Sequence, residues 1–297
     1  MTSFNLRLLR ILQPEFFSQH YLTSGICYRE RGLPEISTSA SLFTKNDMNL
    51  LGVIFKPASA EDVIPDIHDS KKYLLPEINR KILEDKDFDI KKFVGISDNQ
   101  IRTFINKMHW VVMNEKQAEG TRESKIDSLV DNLLRVVKMD DYPLSIVNHP
   151  LCRLSLFGNS YILTEPEFVV SKQNVSMVVI EDKHPKNVKA KSNFGETQLS
   201  AEILACGDEN ISEKIIEQTI FAIRVISMHV TFYKAVIPEL YWEDLDKGPP
   251  QEQSVVIKRW PMKNGRQTGL DLANPDEREK VLKSLVKIRQ FVSGHMQ

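Results

Sequence analysis

The stretch TEPEFVVSKQNVSMVVIEDK, residues 164–183, decides the fold of this chain. It holds two short apolar runs, Glu167 to Val170 and Val175 to Glu181, separated by Ser, Lys, Gln and Asn residues. Apolar, β-branched runs of this length bounded by turn residues predict β-strands. The segment Val178–Ile180 is apolar enough to lie in the centre of a sheet, where both faces of a strand are covered.

Helical and strand patterns alternate on both sides of this stretch. Apolar residues at helical spacing predict helices from about Ser70, from Ser97, from Thr121 or Arg122, at 197–205, at 212–226, around 241–245 and from Asn274. Short β-branched or aromatic runs predict further strands at 144–147, 153–157, 230–237 and 254–260. This order predicts an α/β fold, in which helices pack on the faces of a sheet.

The length of 297 residues predicts one large domain or two modest ones. Residues 20–70 are rich in Ser, Thr, Asp and Pro and read as loops with short elements, and helical spacing follows them. We therefore expect a mainly helical N-terminal region of unknown role, residues 1–112, and a second domain, residues 113–297.

Composition excludes several classes of protein. The 39 Lys and Arg residues nearly balance the 40 Asp and Glu residues, which excludes a polycation but leaves room for a local basic patch. Apolar stretches reach only about four residues, far short of a membrane span. The first residues hold Arg7 and Arg10 with no cleavage site after them, so we expect no signal peptide. Three widely spaced cysteines suit an intracellular protein without a disulfide framework.

Charged residues lie where the two central strands begin and end. Pro166 and Glu167 open the first strand, and Glu181, Asp182 and Lys183 close the second. Because residues i and i+2 of a strand share a face, Glu181 and Lys183 emerge side by side while Asp182 points away. If the strands pair as a hairpin, Glu167 lies opposite Glu181, and two carboxylates meet one ammonium group.

This set of groups suits the hydrolysis of a phosphodiester. Two carboxylates can hold Mg²⁺, which keeps several waters and lowers the pKa of one of them. A lysine beside the metal can position that water and neutralise developing charge. Downstream, Gln198 and Glu202 share a helix face, with Glu202 expected to be structural. Upstream, Glu123 could add a third carboxylate through water, with Asp127 as the alternative.

A helical Glu, a Pro-Glu pair, a Glu-x-Lys run and a helical Gln, in this order, resemble the PD-(D/E)xK nuclease superfamily. The stretches GETQLSAEILA (195–205), HVTFYKAVIPELYW (229–242), VVIKRWP (255–261) and GLDLANPDEREKVLKSLVKIR (269–289) are similar to a fungal nuclease-like family. Some members of that family are joined to Crinkler-type effector modules. The resemblance to the superfamily covers roughly residues 121–218, and the likeness to the fungal family extends over roughly residues 121–289.

The resemblance implies a restriction-endonuclease-like fold in residues 113–297, a central mixed sheet flanked by helices. It implies an Mg²⁺-dependent endodeoxyribonuclease, with Mn²⁺ as a further cofactor. Glu167 and Glu181 would hold the metal, Lys183 would position the water, and Gln198 and Glu123 would complete the catalytic set. A DNA substrate suggests the nucleus, and many such nucleases pair as homodimers.

Two basic segments are candidates for contact with nucleic acid. The first is a loop with Lys186, Lys189 and Lys191, and the second contains Lys258 and Arg259 beside Trp260. Each could equally be an ordinary solvated surface.

One residue departs from the superfamily pattern, since most members have Asp where this chain has Glu167. The longer side chain shifts the carboxylate by about 1.5 Å, one C–C bond. An alternative is therefore a degenerate nuclease that binds DNA without cutting it. A further alternative is an effector module that contacts a protein partner through residues 1–112.

Overall fold

The computed structural model describes residues 36–67, 78–93, 95–116, 123–156, 160–215 and 217–294. Several expectations lie outside these residues: most of the helix expected from Ser70, the proposed helix start at Thr121 or Arg122, and Phe157 at the end of a predicted strand.

The helices fall into an N-terminal group and a group between and after the strands. They are α1 (Lys45–Leu50), α2 (Ala60–Val63), α3 (Arg80–Leu83), α4 (Asn99–Glu115), α5 (Ser124–Val136), α6 (Glu196–Ser212), α7 (Glu239–Lys247) and α8 (Pro275–Gly294). Short 3-10 helices lie at Ala40–Leu42, Ile90–Lys92 and Ala190–Gly195.

The strands are short except in the middle of the chain. They are β1 (Val53–Pro57), β2 (Leu144–Asn148), β3 (Cys152–Leu156), β4 (Ser160–Thr164), β5 (Phe168–Lys172), β6 (Val175–Lys183), β7 (Gln218–Ile226), β8 (His229–Ile237), β9 (Val255–Trp260) and β10 (Leu270–Asp271).

A large mixed sheet forms the centre of the molecule, in the order β1-β9-β8-β7-β6-β5-β2, with β10 beside β8. The pairs β6–β7 and β1–β9 are parallel, and the other pairs are antiparallel. Strands β3 and β4 form a separate hairpin. The predicted α/β fold, with a mixed sheet flanked by helices, is confirmed.

Hydrophobic side chains cover both faces of this sheet. On one face, Val178 and Ile180 of β6 belong to a cluster with residues of α4, α5 and α8. On the other face, Val179 belongs to a cluster with residues of α6, α7 and the β3–β4 hairpin. Strand β6 is therefore buried on both sides, which explains why its sequence is an apolar run rather than an alternating one.

Two helices begin close to their predicted first residues. In each of them a side chain accepts hydrogen bonds from the first backbone N–H groups of the helix. The side chain of Asp98 accepts from Gln100 and Ile101 at the start of α4, one residue after the Ser97 predicted. The Oδ1 atom of Asn274 accepts from the N–H groups of Asp276 and Glu277, as expected for a residue that caps α8.

The helix predicted at 212–226 is wrong. Helix α6 continues to Ser212, and Gln218–Ile226 forms strand β7 in the centre of the sheet. Strand β7 is buried along almost its whole length, and its central residues 220–223 form a continuous apolar run. Such a run has no period that separates a buried strand from a buried helix.

The described part of residues 1–112 is mainly helical, as predicted, but it also contributes a strand to the central sheet. Strand β1 pairs in parallel with β9, from Val53 opposite Val255 to Pro57 opposite Arg259. The boundary predicted at residue 112 falls inside α4, which packs with α5 in one hydrophobic cluster. The division of the chain into two domains stays a prediction.

The search for membrane spans gave none: within the ranges described above, every helix is too short or too polar to cross a bilayer.

Candidate functional site

The hairpin of β5 and β6 brings the predicted acidic residues together at one end of the sheet. Phe168 pairs with Ile180, so Glu167, just before β5, lies opposite Glu181 near the end of β6. Lys183 lies two residues after Glu181 on the same strand and therefore projects from the same face.

The amine of Lys183 contacts both carboxylates. Its Nζ atom is 2.7 Å from Oε1 of Glu181 and 3.4 Å from Oε1 of Glu167. The Glu181 side chain is 1% exposed, while those of Glu167 and Lys183 are 20% and 23% exposed. The predicted convergence of two carboxylates and one ammonium group is thus confirmed. The cluster is buried at Glu181 and partly exposed to solvent at Glu167 and Lys183.

Helix α6 adds the predicted glutamine to this cluster. The Nε2 group of Gln198 donates to Oε1 of Glu181 at 2.7 Å and to Oε1 of Glu202 at 2.8 Å. Glu202 lies one helical turn after Gln198 and is fully buried. One amide therefore links the carboxylate on the strand to a second buried carboxyl group on the helix.

A buried polar network fixes the start of α6 against the sheet. Glu196, the first residue of the helix, is fully buried and accepts from Arg259 at 2.6 Å and from Asn193 at 2.6 Å. Arg224, which pairs with Glu181 across β6 and β7, donates to the carbonyl of Phe194 at 2.7 Å. These bonds hold the first turn of α6, and therefore Gln198, in place over β6.

The backbone before α6 has an unusual conformation. Asn193, Phe194 and Gly195 have φ values of 48°, 55° and 91°, all in the left-handed region. Phe194 is a bulky residue for this region, where conformations cost about 1–3 kcal/mol and depend on support from their surroundings. The hydrogen bonds from Arg224 and Asn264 to this segment supply that support.

Two buried carboxylate oxygens of the cluster lack a donor. Among the described residues, Oε2 of Glu181 and Oε2 of Glu202 have no hydrogen-bond partner. Burial raises the pKa of Glu181 to about 7, although Lys183 opposes this rise. Burial, together with the charge of Glu181, raises the pKa of Glu202 well above its ordinary value. Burial therefore favours the neutral form of both carboxyl groups, and the ammonium of Lys183 favours the ionised form of Glu181.

The residues of this cluster fit a hard divalent cation. Across the described ranges, no set of three or more His, Cys, Asp or Glu side chains is arranged to hold a metal ion. Mg²⁺ often binds through only one or two carboxylates and keeps several waters. Glu167 and Glu181 would supply two such ligands, and the unpartnered Oε2 of Glu181 is a buried oxygen that a cation would satisfy.

Glu123, predicted as a third acidic residue, lies at the edge of this cluster. Its Oε1 atom accepts from the backbone N–H of His184 at 3.4 Å and from Nδ2 of Asn187 at 2.7 Å. Its charge also raises the pKa of Lys183, after the larger effects of burial, which lowers it, and of Glu181 and Glu167, which raise it. Glu123 thus acts on Lys183 through its charge, and its catalytic role stays a prediction.

The predicted DNA-contacting residues fall into two groups. Lys186, Lys189 and Lys191 are exposed in the segment that follows β6. Lys258 forms an ion pair with Asp62 at 2.8 Å, and Arg259 forms one with Glu196 while its own side chain is only 11% exposed. Arg259 therefore anchors α6, whereas the three lysines of the first group are on the surface. Contact of either group with DNA stays a prediction.

Two features near the cluster were not expected from the sequence. Nδ1 of His149 is 3.3 Å from Oε2 of Glu167, and its backbone N–H donates to the carbonyl of Glu167. On the opposite face of the sheet, burial and the neighbouring carboxyl group of Asp127 raise the pKa of Asp182 well above its ordinary value. The alternation of side chains along β6 predicts that Asp182 points to the face opposite Glu181. The position of His149 beside Glu167 could not be predicted, because it depends on the pairing of β2 with β5.

Comparisons of the whole chain with family models and with curated protein sequences gave no match.

Proposed function

We propose that the protein is a metal-dependent nuclease that hydrolyses phosphodiester bonds of DNA. The observation that supports this most is the contact of one lysine amine with two carboxylates, one of them fully buried and joined to the amide of Gln198. A solvated surface ion pair needs neither burial nor an amide that links it to a second buried carboxyl group.

Each side chain of the cluster has a distinct task in this proposal. Glu167 and Glu181 would hold Mg²⁺, which would polarise the phosphate and lower the pKa of a bound water molecule. Lys183 is held as an ammonium by its two carboxylates, because their charges outweigh the effect of burial on its pKa. It orients the attacking water and stabilises the charge that develops on the phosphate. Gln198 fixes the carboxylate of Glu181 through its amide.

The exposed lysines after β6 support the choice of a nucleic acid as substrate. Lys186, Lys189 and Lys191 follow within eight residues of Lys183, so a phosphate backbone bound at the cluster passes close to them. Contacts from such lysines to phosphate supply affinity without reading the sequence.

The proposal is tested by cleavage of single-stranded and double-stranded DNA by the full chain with Mg²⁺ or Mn²⁺. We expect cleavage that EDTA abolishes and that Lys183→Met lowers by about 100-fold or more, the range for loss of a positioned catalytic group. Lys86→Met, at an exposed lysine in another part of the chain, is the matched control and should leave the rate unchanged. Absence of cleavage with both metals, or full activity of Lys183→Met, would contradict the proposal.

A second candidate is a DNA-binding module that has lost turnover. The contact of Oε2 of Glu167 with His149 favours this candidate. The histidine lies beside a proposed metal ligand, and the side chain of that ligand is already one methylene longer than the Asp that most superfamily members have. In that case the wild-type chain binds DNA in a salt-dependent way without cutting it. Glu167→Asp should then gain cleavage, whereas an active wild-type enzyme excludes this candidate.

A further inference from the structure

Two buried cysteines face one another on the side of the sheet that carries α6. The Sγ atoms of Cys152 and Cys206 are 3.8 Å apart, and both side chains are free thiols. Cys152 is the first residue of β3, and Cys206 lies in α6, one turn after Glu202 and two turns after Gln198. The contact therefore joins the β3–β4 hairpin to the helix that carries Gln198.

Hydrogen bonds hold β3 alongside α6 close to the two thiols. The N–H of Arg153 donates to Glu209 at 3.0 Å, and the N–H of Ser155 donates to Asp208 at 2.6 Å. A disulfide has a sulfur–sulfur distance of about 2.0 Å, so the sulfur atoms must approach by roughly 1.8 Å. The two hydrogen bonds keep the strand beside the helix while the sulfur atoms approach.

We propose that Cys152 and Cys206 form a modification site at which a peroxide oxidises the two thiols to a reversible disulfide. The two cysteines differ in a way that assigns their order of reaction. Cys152 is 5% exposed and Cys206 is fully buried, so a small peroxide meets Cys152 first. The hydrogen bond from Cys206 lowers the pKa of the Cys152 thiol, which favours its reactive thiolate form.

The reaction has two balanced steps. The thiolate of Cys152 attacks one oxygen of hydrogen peroxide, the O–O bond breaks, a sulfenic acid forms on Cys152, and hydroxide leaves. The sulfur of Cys206 then attacks the sulfur of Cys152, so that an S–S bond forms, the S–O bond breaks, and the oxygen leaves as water. Two thiols lose two electrons in total, and these reduce one peroxide to two waters.

The test uses the full chain with Cys27→Ser, because Cys27 lies outside the described residues and its thiol would complicate the count. The chain is treated with hydrogen peroxide, unfolded, alkylated with iodoacetamide and analysed by mass spectrometry. We expect a mass lower by two hydrogen atoms, no alkylation, and a proteolytic fragment that links the Cys152 and Cys206 peptides. Dithiothreitol should restore two alkylated thiols.

Two alkylated thiols after peroxide treatment would overturn the inference, as would separate sulfinic acids without a linked fragment. Cys206→Ser gives a second measurement, since Cys152 should then stop at the sulfenic acid and react with dimedone. If this variant does not fold, the linked fragment of the Cys27→Ser chain still decides the question. The experiment measures the mass of the chain, so its outcome does not depend on whether the protein has nuclease activity.

Discussion

The burial of Glu181 makes a specific prediction about how stability depends on pH. Its side chain is 1% exposed, and burial raises its pKa from an ordinary value of 4.5 to about 7. At about 1.4 kcal/mol for each tenfold change, keeping this carboxylate ionised in the folded chain costs about 3 kcal/mol. The perturbation that reveals this cost is Glu181→Gln, which keeps the shape of the side chain and removes its titration.

The sign of the effect follows from linkage between folding and proton binding. The folded state holds the proton of Glu181 up to about pH 7, whereas the unfolded chain releases it near pH 4.5. The contribution of Glu181 to the stability of the folded chain therefore falls as pH rises from about 4.5 to about 7 and is constant above that. We expect the free energy of unfolding of Glu181→Gln, relative to wild type, to increase by about 2.5 kcal/mol between pH 5 and pH 8.

Urea denaturation followed by tryptophan fluorescence, in EDTA, measures this difference at both pH values. Glu217→Gln, at an exposed glutamate just before β7, is the matched control and should follow the wild-type curve. If Glu181→Gln and wild type differ by the same free energy at pH 5 and pH 8, the reasoning about the buried carboxylate is refuted.

The same assay with Mg²⁺ connects stability to the proposed metal site. A ligand at 100 times its Kd stabilises a folded protein by about 2.7 kcal/mol. We expect this gain for wild type at pH 8 and a smaller one at pH 5, where a proton competes for Glu181. Glu181→Gln should gain much less at either pH.

Three further predictions concern other parts of the molecule. Glu202→Gln should change the free energy of unfolding at pH 7 by less than about 1 kcal/mol, because burial raises the pKa of Glu202 and so favours the neutral carboxyl group, which Gln resembles in shape and charge; urea denaturation measures it. Combined Lys189→Ala and Lys191→Ala should lower the slope of log affinity for DNA against log salt by about 1.8, measured by fluorescence anisotropy with Lys86→Ala as control. The free energy of unfolding of the peroxide-treated chain should exceed that of the reduced chain by up to about 4 kcal/mol, because the disulfide closes a loop across a sequence separation of 54 residues. An unchanged slope, or equal unfolding midpoints for oxidised and reduced chain, would contradict the last two.

The core of the candidate site could be predicted because its geometry is local in sequence. Alternation along one strand places Glu181 beside Lys183, and a hairpin register places Glu167 opposite Glu181. Helical spacing likewise places Gln198 and Glu202 on one face. None of these relations depends on contacts with distant parts of the chain.

Relations between distant segments could not be predicted in the same way. The parallel pairing of β1 with β9 joins residues about 200 positions apart, and no periodicity in either strand specifies its partner. Arg259 has the sequence context of a surface cation, yet Glu196 binds it in the interior. The thiol contact between Cys152 and Cys206 likewise depends on how the hairpin packs on α6.

The topology around β6 explains why one helix controls the candidate site. Strand β6 has an antiparallel neighbour on one side and a parallel neighbour, β7, on the other, so the chain must cross over between β6 and β7. Helix α6 makes this crossover and lies over the face of β6 that carries Glu181 and Lys183. Bonds of Glu196 hold its first turn, and the contacts of Cys206, Asp208 and Glu209 with β3 hold its last turns. Gln198 lies between these two anchored ends and donates to Glu181, so we expect oxidation of the cysteine pair to shift Gln198 and to change the rate of the proposed DNA cleavage.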